Sequence, residues 1–230
     1  MISLAERVRA EEQMDDPALD PAVYDEVLKG LGRVNRWTFA ARPTLDFLRR
    51  ATRGMESFSL VDIGSGEGGM LRRIAHWAAK RGLKAELTGV DLNPKSAGVA
   101  RAMTPAGMPI VYRTGDYRAL GPFDFAVSSL VAHHMSDGEL RDFLQWMETR
   151  ARRGWFVNDL HRHALAYRGF PLLAALLRVH RIVREDGQLS IARSFRPGDW
   201  AGMLADAGIA ADGVRVRRYF PFRLCVERLR

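Results

Sequence analysis

The stretch VDIGSGEGG, residues 61–69, decides the fold. It closes a β-rich apolar run, SLVDI (59–63), and opens MLRRIAHWAAKRG (70–82), whose apolar residues recur at helical spacing. Glycines between a strand and a helix let the backbone turn sharply and approach a ligand without side chains in the way. Gly64, Gly66 and Gly69 fit GxGxxG, while Gly64, Gly66 and Gly68 fit GxGxG. Both patterns serve adenosine cofactors, so the loop alone does not choose between them.

Outward from this loop the same texture repeats. Strand-like AELTGVDL (85–92), a helix around 97–103, IVYRTGD (110–116), FDFAVSSL (123–130), a helix over ELRDFLQWMETR (139–150) and GWFVNDL (154–160) follow in turn. Such alternation predicts an α/β fold with a doubly wound, mostly parallel sheet. A last helix over 197–207 precedes VRVRRYF (214–220) and FRLCVERL (222–229), which read as an antiparallel hairpin around Pro221 at the sheet edge. Before the sheet, residues 1–54 read as helical, with Asp20-Pro21 as a cap and first-turn pair and Pro43 opening a second helix. LAYRGFPLLAALLRV (165–179) reads as a helical insertion spanning about 162–183, and REDGQLSIARSF (184–195) as a turn toward the last helix. Residues 55–230 are expected to form the main α/β domain.

Composition narrows the class. With 230 residues, 47% hydrophobic and 27% charged, the chain suits one globular domain with a sizeable core. Its longest apolar run, 170–177, is far short of the roughly 20 residues a membrane span needs. The opening MISLAERVRAEEQMDD alternates charged with apolar residues where a secretory signal needs an unbroken apolar segment, so a cytoplasmic protein is expected. A single cysteine, Cys225, excludes an internal disulfide and a thiolate metal cluster. The net charge of +8 comes almost wholly from scattered arginines, with a modest cluster at 215–219. A solvated basic surface explains it better than nucleic-acid binding.

Two features separate the adenosine cofactors. The second strand ends in GVDLNP, and its terminal carboxylate, Asp91, stands where a ribose diol is held in either case. Asp62, however, precedes the glycines, where negative charge disfavours a pyrophosphate and favours a cationic amino acid. TGDY (114–117) then ends the third strand with an acid and an aromatic residue, suited to the edge and face of adenine.

On these motifs the chain, from about residue 58 to the C-terminus, resembles the class I S-adenosylmethionine-dependent methyltransferases, and within them the small-molecule branch that includes natural-product and phenol O-methyltransferases. The resemblance implies S-adenosylmethionine as cofactor and a seven-stranded Rossmann-like sheet with an antiparallel last strand. Asp62, Gly64, Ser65, Gly66 and Gly68 would then surround the methionine portion, Asp91 the ribose, and Leu92 the adenine face. Asp116 and Tyr117 match the adenine-edge position and its neighbour, and Ser128 and Ser129 the end of the fourth strand beside the methionine amino group. The N-terminal helices would form a lid.

The stretch SSLVAHHMSD (128–137) places two histidines at the carboxyl end of the fourth strand, where a doubly wound sheet binds ligands. Ser136 and Glu139, spaced as a capping box, start a helix just beyond, so His133 and His134 lie in a short loop. Methyl transfer to a hydroxyl needs an acceptor for the proton, and a neutral imidazole supplies one. By resemblance to small-molecule O-methyltransferases, His134 is expected to be the general base and Asp159 its supporting carboxylate, with His133 mainly packing. His161 is a further candidate. If the fifth strand extends, Asp159, His161 and His163 share one face and form an alternative metal-ligand set, but no metal requirement is expected. The expected reaction is methylation of a hydroxyl on a small apolar acceptor, phenolic or polyketide-like. The alternatives are C-methylation of a quinone-type precursor and nucleic-acid methylation. No oligomeric state is implied.

Overall fold

The computed structural model describes residues 4–230, so the first three residues of the N-terminal section lie outside the described residues. Seven strands form one sheet: β1 (Ser57–Ile63), β2 (Lys84–Asp91), β3 (Ile110–Thr114), β4 (Phe123–Ser129), β5 (Ala151–Leu160), β6 (Val214–Tyr219) and β7 (Arg223–Leu229). Their order is β3-β2-β1-β4-β5-β7-β6. β1 is parallel to both β2 and β4, so Leu60 stands beside Leu87 on one side and Phe125 on the other. β7 runs antiparallel between β5 and β6, which puts Val226 between Val157 and Val216. The expected hairpin thus joins the sheet through its second strand. β6, left at the edge, exposes Arg215, Arg217 and Arg218, and charge of this kind blunts an open edge against pairing with other chains.

Alternation along the strands sends side chains to two cores. On one face Phe58, Leu60, Leu87 and Phe125 meet helices α2 (Arg42–Ala51), α3 (Gly69–Ala79) and α4 (Pro94–Ala102). On the other, Val61, Ile63, Ala126 and Trp155 meet α5 (Asp137–Arg150) and α8 (Asp199–Asp206). Phe47 of α2 is fully buried and stacks on Phe156 at 4.9 Å between centroids. This second N-terminal helix is therefore part of the sheet's helical layer and not a cover over the crevice. The third cluster lies apart, where Val27 and Val34 of α1 (Pro21–Trp37) pack on Ile182 and Val183 of α7 (Arg181–Arg193).

The helix starts follow their chemistry. Asp20 accepts the backbone N–H groups of Ala22 and Val23, with Pro21 needing no partner, and Ser136 and Glu139 form a reciprocal capping box on α5. One expectation fails: 184–195 is no turn, because α7 runs through most of it. Gly187 lies within α7, where α6 (Ala164–Leu176) packs so closely that a Cβ there would stand 2.2 Å from the Phe170 ring.

Candidate active site

The chain reverses direction of winding between β1 and β4, and at such a point an open sheet forms a crevice beyond the carboxyl ends of its strands. A cavity of about 1070 Å³ occupies this position. One end is formed by the glycine loop and the ends of β1 and β2. The other is formed by the turn after β4, by α6 and α7, and by the N-terminal segment.

At the first end, Gly64, Gly66 and Gly68 all have positive φ, and a Cβ on Gly66 would meet nothing within 4 Å. The Gly66 N–H donates to Asp91 Oδ2 at 2.9 Å, and the Asn93 N–H donates to Asp91 Oδ1 at 2.9 Å. Asp91 is thus fixed at the cavity wall, each oxygen keeping a lone pair for a further donor. Leu92 beside it is 72% exposed, an uncovered apolar side chain on the same wall. Asp62 is buried and its Oδ1 has no hydrogen-bond partner. Burial, reinforced by the charge of Asp91, pushes its carboxyl up to about 8. A carboxyl in this condition calls for a cationic or hydrogen-bond-donating ligand.

Ser65, Ser129 and Tyr117 also line the cavity. The Tyr117 ring meets Phe143 and Trp146 edge-on, at 5.4 and 5.1 Å, and burial pushes its hydroxyl up to about 12. Asp116 is not on the cavity wall. It caps the short turn 117–119 by accepting the Arg118 N–H at 2.8 Å, and Arg118 Nε donates to its carboxylate at 2.7 Å and holds it below its ordinary value. Ser128 is buried behind the wall with its hydroxyl unpartnered.

At the other end, residues 132–134 form one 3-10 turn. His133 is buried, and its Nδ1 lies 2.7 Å from Asp159 Oδ1 while its backbone N–H donates to Asp159 Oδ2 at 3.0 Å. The expected partnership of Asp159 with His134 is therefore corrected: the two rings lie side by side with centroids 4.3 Å apart, and it is the His133 ring whose Nδ1 reaches β5. Burial alone would lower the His133 imidazole, but the charge and hydrogen bond of Asp159, followed by Glu12, outweigh it and raise the group to about 9. Burial likewise opposes ionisation of Asp159, and the His133 charge overrides it, holding the carboxylate below its ordinary value. His134, part-buried, places its Nδ1 3.0 Å from Asp15 Oδ2.

The expected face of Asp159, His161 and His163 does not assemble. Asp159 is committed to His133, and His163 caps α6 by accepting the Leu165 N–H at Nδ1 and stacks on Phe222. His161 packs 5.4 Å from His163 and is not on the cavity wall. The site also recruits residues that the sequence reading missed. Glu12, only 4% exposed, places Oε1 3.6 Å from His133 Nε2 and Oε2 3.7 Å from His134 Nε2. Arg193 donates from Nε to the His133 carbonyl at 3.3 Å and from Nη2 to the His134 carbonyl at 3.1 Å, and so fixes the turn. Neither Glu12 nor Arg193 carries a local signature. Both become functional candidates only when the N-terminal segment and α7 close over the turn.

Comparison with known proteins bears on the fold. Residues 60–154 match the family described as "Methyltransferase domain". No curated protein matches the chain. Among solved structures, the magnesium protoporphyrin IX methyltransferase of Synechocystis PCC 6803, crystallised with bound SAM, is 15% identical, with a TM-score of 0.55 over 95% of this chain and 88% of that one. Human N-acetylserotonin methyltransferase, in complex with SAM, is 14% identical, with a TM-score of 0.63 over 96% and 63% of the two chains. The plantazolicin methyltransferase BpumL, in complex with SAH, is 13% identical, with a TM-score of 0.67 over 91% and 90%. At these identities the likeness is one of fold. The fold is the Rossmann-like one that these methyltransferases share, and the stretch that matches the methyltransferase-domain family runs from β1 into β5. Among the described residues no helix is long and apolar enough to cross a membrane.

Proposed function

We propose that the protein is an S-adenosylmethionine-dependent methyltransferase acting on a hydroxyl of a small, largely apolar acceptor, with His133 as the general base. S-adenosylmethionine, when bound, supplies an electrophilic methyl group on a cationic sulfonium. The residues present fit that group. The unpartnered Asp62 carboxyl suits its cationic amino-acid end, the Asp91 carboxylate its ribose hydroxyls, the open space beside Gly66 close backbone approach, and the uncovered Leu92 an aromatic face.

The observation that carries the base assignment is the buried His133–Asp159 pair. Asp159 holds Nδ1 and orients the ring, leaving Nε2 without a hydrogen-bond partner. Raised to about 9, this imidazole approaches the value near 10 of a phenol, so proton transfer between them is nearly balanced. Leu28, Leu31, Met135, Leu165, Phe170 and Leu173 line the acceptor side, which favours an apolar body carrying one reactive hydroxyl.

The test is methyl transfer from labelled cofactor to a panel of phenols, quinone precursors and total RNA. Label should enter phenols as an ether. Incorporation only at carbon, or only into RNA, would overturn the hydroxyl reading.

A further inference from the structure

We propose that Glu12, His133 and His134 form a divalent-cation site at the acceptor end of the cavity. His133 Nδ1 meets Asp159 Oδ1 at 2.7 Å and His134 Nδ1 meets Asp15 Oδ2 at 3.0 Å. An ionised carboxylate only accepts hydrogen bonds, so each ring carries its hydrogen at Nδ1. Once an incoming ion displaces any proton at Nε2, both Nε2 atoms present lone pairs, and both face the same carboxylate.

The separations are informative. Nε2 of His133 is 3.6 Å from Glu12 Oε1, and Nε2 of His134 is 3.7 Å from Glu12 Oε2. Both exceed the roughly 2.7–3.2 Å of a hydrogen bond, yet the ligating atoms of all three residues lie within 4.8 Å of one another. Donor atoms sharing one zinc ion at about 2.0–2.2 Å in tetrahedral geometry stand roughly 3.3–3.6 Å apart. Converging lone pairs at this spacing are stabilised by positive charge between them. Imidazoles backed by carboxylates at the far nitrogen are also the usual outer shell of metal-binding histidines, and Asp159 and Asp15 provide it for both rings.

The donor set, two imidazoles and one carboxylate, suits zinc and neighbouring transition ions and leaves coordination positions free. Ser190 Oγ, donating to Glu12 Oε1 at 2.8 Å, orients the carboxylate. Arg193 Nη1, 3.8 Å from the same oxygen, adds positive charge that moderates the affinity. The functional consequence rests on the base reading above: an ion on His133 Nε2 occupies the lone pair that accepts the acceptor's proton, so loading the site halts transfer.

The experiment titrates zinc alone into chelator-treated full-length protein, without cofactor or acceptor, by calorimetry, with cobalt absorption as a second readout. One ion per chain is expected. Affinity should fall tenfold or more in Glu12→Gln and by about 10–100-fold in Asp15→Asn, which removes only outer-shell support. Asp15 is about half exposed, so that variant keeps the test valid if Glu12→Gln fails to fold. No stoichiometric binding, or binding unchanged in both variants, overturns the site. Zinc should also inhibit turnover reversibly. Stoichiometric binding that leaves turnover untouched would support the site and count against His133 as base, so the two ideas fail separately.

Discussion

Asp159 holds His133 at two points: Oδ1 lies 2.7 Å from the imidazole Nδ1, and Oδ2 accepts the backbone N–H at 3.0 Å. Ring and turn are therefore set by one carboxylate at the end of β5. The pair links the loop after β4 to the neighbouring strand at the point where an acceptor must sit.

Loss of either partner should cost catalysis and spare the cofactor. His133→Ala is expected to lower the catalytic constant by ~10²–10⁴, with Asp159→Asn also impaired, while calorimetric affinity for S-adenosylmethionine stays nearly unchanged. His134→Ala should cost less, because its ring is supported by Asp15 and not by Asp159. Wild-type turnover in His133→Ala together with a severe loss in His134→Ala would move the base to the neighbouring residue.

The pH dependence has a definite sign. A base raised to about 9 is mostly protonated at neutrality, so the rate of chelator-treated enzyme should climb with pH through that region and not through the ordinary histidine value. Stability should run the opposite way on this limb. The favourable imidazolium contacts are fully present below the unfolded value near ~6.5 and are lost as pH rises through about 9. Asp159 and Glu12, both held below their ordinary values, contribute stability above the usual carboxylate range that is lost as pH falls. Melting temperatures across this range should show an alkaline decline that flattens in His133→Ala.

Much of this fold was legible because it is written locally. Glycines at 64, 66 and 68 sit where the backbone takes positive φ, and the Ser136–Glu139 box forms as spaced. The pairing of Asp159 was not legible, because which of two adjacent histidines faces β5 depends on a 3-10 turn held by Arg193 from 59 and 60 residues away. Glu12 was hidden for the same reason: in sequence it is one acid in a charged segment, and only closure of that segment over the cavity buries it. Asp116 was legible in type and position but not in partner, since Arg118, two residues on, holds its carboxylate.

Asp62 should trade stability for binding. Burying a carboxyl with one oxygen unpartnered is unfavourable, and a folded value raised to about 8 means that this cost grows as pH rises above the ordinary carboxylate range. Asp62→Asn should therefore raise the melting temperature of the cofactor-free protein at neutral pH, by roughly 2–4 °C for each kcal/mol recovered. The same change should weaken S-adenosylmethionine binding in calorimetry. NAD binding as tight as that of S-adenosylmethionine in the wild type would instead undo the cofactor assignment.

Gly187 supplies a last test, because two magnitudes oppose each other there. Alanine in a helix interior is favoured over glycine by about 1 kcal/mol, so Gly187→Ala would stabilise an isolated α7. In the folded chain its Cβ would stand 2.2 Å from Phe170 Cε1 and 2.3 Å from Cζ, and overpacking of this kind costs typically ~1–3 kcal/mol. The clash should win, giving net destabilisation in denaturant unfolding. Phe170→Ala added to Gly187→Ala should relieve the clash, with a coupling of at least ~0.5 kcal/mol in the double-mutant cycle. Since Phe170, Leu173 and Ile191 line the acceptor side, Gly187→Ala should also raise the KM for the acceptor while leaving cofactor affinity in place. Full additivity of the two substitutions would show that α6 and α7 adjust freely and that the glycine is not required for their close approach.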